Sequence, residues 1–273
     1  MLLVFVLILI VVGLASGMLG SLVGIGGGMV IVPSLLYLGL FSISPLFSEV
    51  TPQVAVGTSL LVILVIGLSS TFAYLKQKTV DYKSGWMLFI GSGPGAIVGA
   101  WLNRFLSSEQ FSLYFGIFII CIAILMMVRN YLKPVVIRKT FLYTAIGDNG
   151  DEVTYGYNVP VMLVISFSIG ILAGLFGIGG GVLMVPVMIL LFNFPTRIAV
   201  ATSMLVIFLS AITGSITHMV LGNINWTYAG CLVVGAWFGA KIGAYLNNKL
   251  KAEYVLAIFR FVLLFVGIGL TIN

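Results

Sequence analysis

Gly24-Ile25-Gly26-Gly27-Gly28 is a glycine run inside a long apolar stretch, and it returns as Gly177-Ile178-Gly179-Gly180-Gly181. Each run is followed five residues later by a proline, Pro33 or Pro186. Glycine runs interrupt helices, and non-helical backbone at membrane depth is tolerated only where protein or a water-filled cavity surrounds it. Two such interruptions at matching places are the pattern that indicates the binding site of a membrane transporter.

The composition indicates an integral membrane protein. Of the 273 residues, 61% are hydrophobic and only 7% are charged, whereas soluble domains carry about 25% charged residues. Several apolar stretches approach the ~20 residues that a spanning helix needs, and they are continuous rather than alternating. We therefore predict an all-α polytopic protein that crosses the cell membrane several times. The net charge of +6 comes mostly from short connections that orient the chain, so it does not indicate nucleic-acid binding.

The chain is an internal duplication. Residues 17–33 align with residues 170–186 at an offset of 153, and residues 55–59 align with residues 199–203 at an offset of 144. Glycines at every fourth residue also match across the halves: Gly91, Gly95 and Gly99 with Gly235, Gly239 and Gly243. We predict a first transmembrane repeat at 1–131, a polar cytoplasmic linker at 132–159 and a second repeat at 160–273.

Each repeat is predicted to hold five helical pieces, including a short piece after the glycine run. The predicted pieces are 2–22, 28–40, 52–75, 84–104, 110–131, 160–175, 181–193, 197–220, 227–246 and 253–271. If the glycine-broken stretch folds back as a helical hairpin, the two repeats have inverted topologies. If it crosses once, the repeats run parallel.

Basic residues in the loops favour the inverted repeats. With the loop 76–83 in the cytoplasm, inversion places ten basic residues inside and only Arg104 outside, and these are Lys76, Lys78, Lys83, Arg129, Lys133, Arg138, Lys139, Arg197, Lys249 and Lys251. The parallel arrangement gives seven inside and four outside. The charge distribution therefore predicts inverted repeats with both termini outside.

The candidate site is an anion site without a fixed charge. All seven acidic residues lie in or beside loops, which argues against a carboxylate cation site or proton relay. The helices that begin after each run present unpaired N–H groups and a positive dipole end. Two such helix starts meeting at the midplane could hold an anion. The candidate binding residues are Gly24, Gly26, Gly27, Gly28, Gly177, Gly179, Gly180 and Gly181.

Four hydroxyls and three basic side chains complete the candidate residues. Thr58, Ser59, Thr202 and Ser203 occupy matched places and could donate to an anion, or bond their own helices. His218, the single histidine, stands where the first repeat has Tyr74. It could carry a coupling proton or be an interfacial residue. Lys241 and Arg260 lie in apolar segments, where they could line a cytoplasmic vestibule or extend to the membrane surface.

At these residues the chain resembles the TauE/SafE family of sulfite exporters. The doubled motif G-x-G-G-G-x4-P, with a doubled A-V-x-T-S element downstream, carries the resemblance across both halves. The resemblance implies a transporter of sulfur-containing anions such as sulfite, sulfoacetate or other sulfonates.

The main hypothesis is therefore a secondary transporter that works by alternating access. Its expected partners are a small anionic substrate, the lipid bilayer and a coupling ion (proton or sodium), with a homo-oligomer as an open alternative. We expect no cofactor and no metal. An anion channel on the same scaffold is the alternative, and an intramembrane enzyme is less favoured because one histidine and no buried carboxylate supply little for catalysis.

Overall fold

The computed structural model describes residues 2–40, 50–128, 141–146, 152–247, 263 and 266–271. These residues form nine helices of at least ten residues and one β-hairpin. The bounds are α1 Leu2–Val23, α2 Gly28–Leu40, α3 Pro52–Lys76, α4 Tyr82–Asn103, α5 Ser108–Val128, β1 Phe141–Ile146, β2 Glu152–Tyr157, α6 Val159–Phe176, α7 Gly181–Leu190, α8 Thr196–Val220 and α9 Trp226–Asn247. Residues 266–271 are also helical.

The prediction of an all-α polytopic membrane protein is confirmed. Seven of the described helices are long and apolar enough to cross a membrane, whereas α2 and α7 are too short by the same measure. Where the described residues allow comparison, the predicted ends of the nine helices lie within three residues of the observed ends. Most of the predicted last helix, 253–271, lies outside the described residues.

Local side chains set several helix ends. Thr51 caps α3 by accepting from the Val54 N–H, and Pro52 occupies the first turn, where its missing N–H costs nothing. Asp81 caps α4 by accepting from the N–H groups of Lys83 and Ser84. In the second half, α6 ends at Gly177 in the left-handed conformation, which glycine adopts without the steric penalty of a Cβ.

Glycine ladders bring helices of the two halves into backbone contact. A Cβ on Gly91, Gly95 or Gly99 of α4 would collide with the carbonyl oxygens of α6, which belong to Leu163, Phe167 and Ile171. The matched ladder of α9, formed by Gly235, Gly239 and Gly243, meets the carbonyl oxygens of Ile10, Leu14 and Met18 of α1. Lipid tails provide no hydrophobic force between helices, so this close packing holds the two halves together.

The matched helices α3 and α8 pack antiparallel at the centre of the molecule. Gly67 of α3 lies against Phe208, and Leu60 lies against Gly214. At one end of the pair the Asn225 N–H donates to Thr58 Oγ1 over 3.0 Å. At the other end the Asp81 N–H donates to Thr202 Oγ1, also over 3.0 Å. An inverted repeat would make these contacts; the inversion itself stays a prediction, which they support.

The linker contains a β-hairpin that the sequence interpretation missed. Strands β1 and β2 pair antiparallel with Phe141 opposite Tyr157, and Tyr143 stacks on Tyr155 with ring centroids 5.7 Å apart. The missed signal was β-type residues flanking the Asn149-Gly150 dipeptide, a common hairpin turn sequence.

The hairpin packs against both halves. The Gly156 N–H donates to the Phe192 carbonyl over 3.0 Å, and the rings of Tyr155 and Phe194 lie 4.4 Å apart. Tyr155 Oη also donates to Asp81 Oδ2 over 3.2 Å. We call the end of the molecule that carries these contacts the hairpin face.

Candidate functional site

Both glycine runs break their helices with left-handed backbone. The φ angles are +77° at Gly24, +89° at Gly26 and +83° at Gly27. The second run has +67° at Gly177, +75° at Gly179 and +71° at Gly180. Side chains with a Cβ rarely adopt these angles, so both loops require glycine for their shape.

The two loops meet each other directly, backbone against backbone. A Cβ on Gly28 would collide with the carbonyl oxygen of Gly177, and a Cβ on Gly181 would collide with that of Gly24. Ile63 of α3 and Ile207 of α8 also press on this contact. The structure thus brings the eight predicted glycines together, but a ligand between the two helix starts would have to separate the loops.

The starts of α2 and α7 keep free backbone donors. The Val30 and Ile31 N–H groups donate to the Gly27 carbonyl, and those of Leu183 and Met184 donate to the Gly180 carbonyl. Within the described part of the chain, the N–H groups of Gly28 and Met29, and of Gly181 and Val182, donate to no acceptor. Such N–H groups at the positive end of a helix dipole attract anions.

The four predicted hydroxyls tie the halves together in this conformation. Ser59 Oγ donates to the Gly177 carbonyl over 2.8 Å, and Ser203 Oγ lies 3.1 Å from the Gly24 carbonyl. Both side chains are fully buried. Thr58 and Thr202 instead accept the backbone N–H groups of Asn225 and Asp81, which stand just before α9 and α4. All four hydroxyls therefore have protein partners.

A small cavity lies beside the second loop. Its volume is about 10 Å³, which is enough for a water molecule. It is lined by Ser92, Ile169, Gly170, Ala173, Gly179, Gly180, Met184, Val206, Ile207 and Ser210. Ser92 Oγ and Ser210 Oγ lie 2.7 Å apart across α4 and α8, and both side chains are buried.

The equivalent space beside the first loop is filled. The positions that match Ser92 and Ser210 hold Ala236 of α9 and Ile66 of α3. Ser16 Oγ donates to the Gly27 carbonyl over 2.9 Å, and a Cβ on Gly27 would meet Ser16 Oγ at 2.5 Å and Ile66 Cδ1 at 2.9 Å. The two loops are similar in backbone shape but different in their surroundings.

His218 is buried at the end of α8 next to the second loop. Its Nε2 donates to the Gly174 carbonyl over 3.3 Å, because a carbonyl can only accept. Nδ1 then accepts from the Asn223 amide over 3.2 Å. Tyr74 makes the matching bond in the first half, from its Oη to the Ser21 carbonyl over 2.8 Å.

Of the predicted vestibule residues Lys241 and Arg260, only Lys241 is described, and it does not line the cavity. Lys241 lies on the exposed side of α9, with its Nζ 5.0 Å from the centroid of the Trp237 ring. Arg260 lies outside the described residues. Two described carboxylates, Asp81 and Glu109, lie at the starts of α4 and α5. The described part of the chain contains no cluster of side chains that could bind a metal.

Sequence reasoning missed Ser92, Ser210 and Asp81. The two serines lie in the middle of apolar helices, where a polar side chain needs a partner, and that was the available signal. Asp81 was read only as a loop residue, although an aspartate just before a helical segment is a typical cap.

The family model described as sulfite exporter TauE/SafE matches residues 9–270. The chain belongs to the TauE/SafE family. The probable membrane transporter protein YunE of Bacillus subtilis (strain 168) is 53% identical to this TauE/SafE protein over 261 residues, which is 95% of each chain.

More distant relatives agree. A probable membrane transporter protein of Methanocaldococcus jannaschii is 29% identical to this protein, and the match covers 91% of this chain and 88% of the relative. No solved structure matches the chain. Family, relatives and apolar helices together identify a multi-pass membrane transporter, and these names indicate transport rather than enzymatic catalysis.

Proposed function

We propose that this TauE/SafE protein is a secondary transporter of small sulfur-containing anions such as sulfite, sulfoacetate or other sulfonates. The observation that carries the proposal is the meeting of two glycine loops whose following helices keep free N–H donors. The family description supplies the sulfur oxyanion as the substrate class. Donors without a fixed positive charge can bind an anion and still release it, as transport requires.

We further propose that the anion moves by alternating access between two inverted repeats. The antiparallel packing of α3 against α8 supports the inversion, as do the matched bonds at the two ends of the pair. Ser59 and Ser203 each bond the glycine loop of the other half. Opening toward one side would therefore break one set of ties while the other set holds, with the bound anion between them.

Flux in proteoliposomes tests this function. Purified protein is reconstituted into liposomes that are loaded with sulfite or sulfoacetate. Efflux of the anion is then measured with and without a proton or sodium gradient. We expect saturable flux and counterflow of labelled substrate. Flux that does not saturate and shows no counterflow would instead identify an anion channel on the same scaffold.

The glycine loops supply the variant arm of this experiment. Gly27→Leu and Gly180→Leu place a side chain where φ is +83° and +71°, so each distorts its loop. We expect flux to fall at least tenfold. Gly222→Leu is the control, because Gly222 also has a positive φ of +73° but no atom within 4 Å of its Cβ position. Normal flux in the Gly27 and Gly180 variants would remove the loops from the mechanism.

A further inference from the structure

The cavity beside the second loop contains hydrogen-bond donors that have no acceptor among the described residues. Ser92 Oγ and Ser210 Oγ share one hydrogen bond, and each hydroxyl has one proton. In the structure as described, neither hydroxyl bonds another group, so one of the two protons has no acceptor. The backbone N–H groups of Gly179 and Gly180 also donate to no described acceptor. These groups leave donors available to a ligand with acceptor oxygen atoms.

These side-chain donors lie beside the second loop and have no match beside the first. Beside the first loop, the positions that match Ser92 and Ser210 hold Ala236 and Ile66, whose side chains have no proton to donate. Ser16 has its proton committed to the Gly27 carbonyl. The second loop also has more room, since a Cβ on Gly180 would lie 3.3 Å from the side chains of Ala173 and Ile169. An anion held symmetrically between the halves would not use this difference.

The remaining lining sets the ligand class. No carboxylate or basic side chain lines the cavity, and its other side chains are apolar. Hydroxyl and N–H donors among apolar side chains suit a small oxyanion, because its several oxygen atoms each accept hydrogen bonds. The volume of about 10 Å³ holds only water, so an oxyanion would need the cavity to widen. Met184 is the lining side chain with the most freedom to move aside.

We propose that this cavity, which we call the serine cavity, is the oxygen-binding subsite for the transported anion. The substrate then binds off the pseudo-symmetry axis, beside the second glycine loop. Ser92 and Ser210 donate to its oxygen atoms. This inference rests on the proposed function and adds the position of its site.

The test compares Ser92→Ala and Ser210→Ala, alone and together, with Thr213→Val. Thr213 lies on α8, one turn from Ser210, and it does not line the cavity. Its hydroxyl already bonds the carbonyls of Gly93 in α4 and Ser210 in α8. A hydrogen bond to a charged group contributes ~1.5–3 kcal/mol. Each serine variant should therefore raise the KM for sulfite by at least about tenfold. Thr213→Val should keep the wild-type KM.

A second readout separates this proposal from the transport function. Sulfite should raise the Tm of the detergent-solubilised wild type and of Ser210→Thr, which keeps a hydroxyl, but not that of the double alanine variant. Saturable wild-type flux with an unchanged KM in both single variants would overturn the serine cavity and leave transport intact. Sulfite stabilisation that is lost in the double variant, without flux in the wild type, would support the cavity and contradict the transport function.

Discussion

The hydroxyls of Ser59 and Ser203 bond loop carbonyls of the other half. Ser59 donates to Gly177, whereas Ser203 shares its proton between Gly24 and the Val200 carbonyl of its own helix. Each lies in a fully buried position and bonds the glycine loop of the other half. Removing a partner from a buried polar group costs ~1–3 kcal/mol, because the remaining group stays dehydrated and unpaired. These two serines therefore contribute to stability whether or not they also touch substrate.

We expect Ser59→Ala and Ser203→Ala each to lower the free energy of unfolding by about 1 kcal/mol. Thermal unfolding in detergent measures the change. Ser70→Ala is the matched control on α3, because Ser70 is also fully buried but its hydroxyl has no partner among the described residues. Its removal should leave the Tm unchanged or raise it. Equal losses in all three variants would contradict the role assigned to the two bonds.

Gly28 and Gly181 stand where any side chain would collide with the opposite loop. A Cβ on Gly28 would collide with the Gly177 carbonyl oxygen, and a Cβ on Gly181 would collide with that of Gly24. Both oxygens are backbone atoms, so they cannot rotate away as a side chain could. We expect Gly28→Ala and Gly181→Ala each to destabilise the protein by ~1–3 kcal/mol through overpacking. Gly230→Ala in α9 is the control, because its Cβ position has no neighbour within 4 Å. Alanine there should be neutral or stabilising by less than about 1 kcal/mol, as measured by Tm.

His218 joins the last turn of α6 to the end of α8 in one tautomer. Nε2–H donates to Gly174, and Nδ1 accepts from Asn223. We expect His218→Gln, which can still donate to the carbonyl, to keep transport, and His218→Leu to lose stability by about 1 kcal/mol. Substrate flux with and without a proton gradient measures transport in both variants, and the Tm in detergent measures their stability. Gradient-driven flux that disappears in His218→Gln while counterflow persists would make His218 the coupling group.

At the scale of elements, the hairpin lies in the linker between the two repeats, outside the duplicated segments. Two of its tyrosine rings pack against the α7–α8 connection: Tyr155 contacts Phe194, and Tyr157 contacts Phe192. Through Asp81 the hairpin also reaches α4, and the Asp81 N–H bonds Thr202 at the start of α8. The hairpin therefore links the start of α4 to the α7–α8 connection on the hairpin face.

Tyr155 gives the hairpin a pH dependence. Burial raises the pKa of the Tyr155 hydroxyl above its usual value of 10.0, and the nearby Asp81 carboxylate raises it further. A raised pKa means that the folded state favours the protonated hydroxyl. This stabilisation is complete below about pH 10 and declines as the pH rises beyond it.

We expect Tyr155→Phe to lower the Tm at pH 7, through loss of the bond to Asp81, and to reduce the fall in Tm between about pH 9 and pH 11. Melting curves across that range measure both effects. Tyr82→Phe is the control, since Tyr82 follows Asp81 in the chain but is 53% exposed. An identical alkaline response in Tyr155→Phe and the wild type would contradict the assignment.

At the scale of the whole molecule, the contacts between chain connections fall on two faces. Tyr155 to Asp81, Gly156 to Phe192 and Gln77 to Ala244 all lie on the hairpin face. Gln53 to Leu106 and Asn225 to Thr58 lie on the opposite face. The connections α3–α4 and α7–α8 thus share one face, as the inverted arrangement predicts. This supports the inversion, which stays a prediction.

Cysteine labelling in intact cells tests this topology. With Cys121 and Cys231 replaced by alanine, single cysteines are placed at Tyr82, Thr196, Ser107 or Thr227. Because the basic loops favour the cytoplasm, we expect an impermeant thiol reagent to label Ser107→Cys and Thr227→Cys from outside. Tyr82→Cys and Thr196→Cys should react only after permeabilisation. Labelling of Tyr82→Cys and Thr196→Cys from opposite sides would contradict the inversion.

Much of this arrangement follows from patterns that are local in the chain. Helix bounds, the duplication and the breaks at Gly24–Gly28 and Gly177–Gly181 were all readable, because apolar runs and glycine act on the backbone where they occur. The hairpin was not identified because its strands are short and lie in a polar linker. The pairing of each glycine ladder with its helix was also beyond reach, since spacing marks a contact surface but not its partner.

The surroundings of the two loops required the folded chain. Repetition in the sequence predicts two equivalent helix starts with an anion between them, whereas the structure packs the loops against each other and places a small cavity beside the second. That difference depends on Ser92 and Ser210, which are 118 positions apart and meet only through the packing of α4 on α8. Local backbone preferences are encoded by neighbouring residues, but the contents of a buried space depend on side chains that tertiary packing brings together.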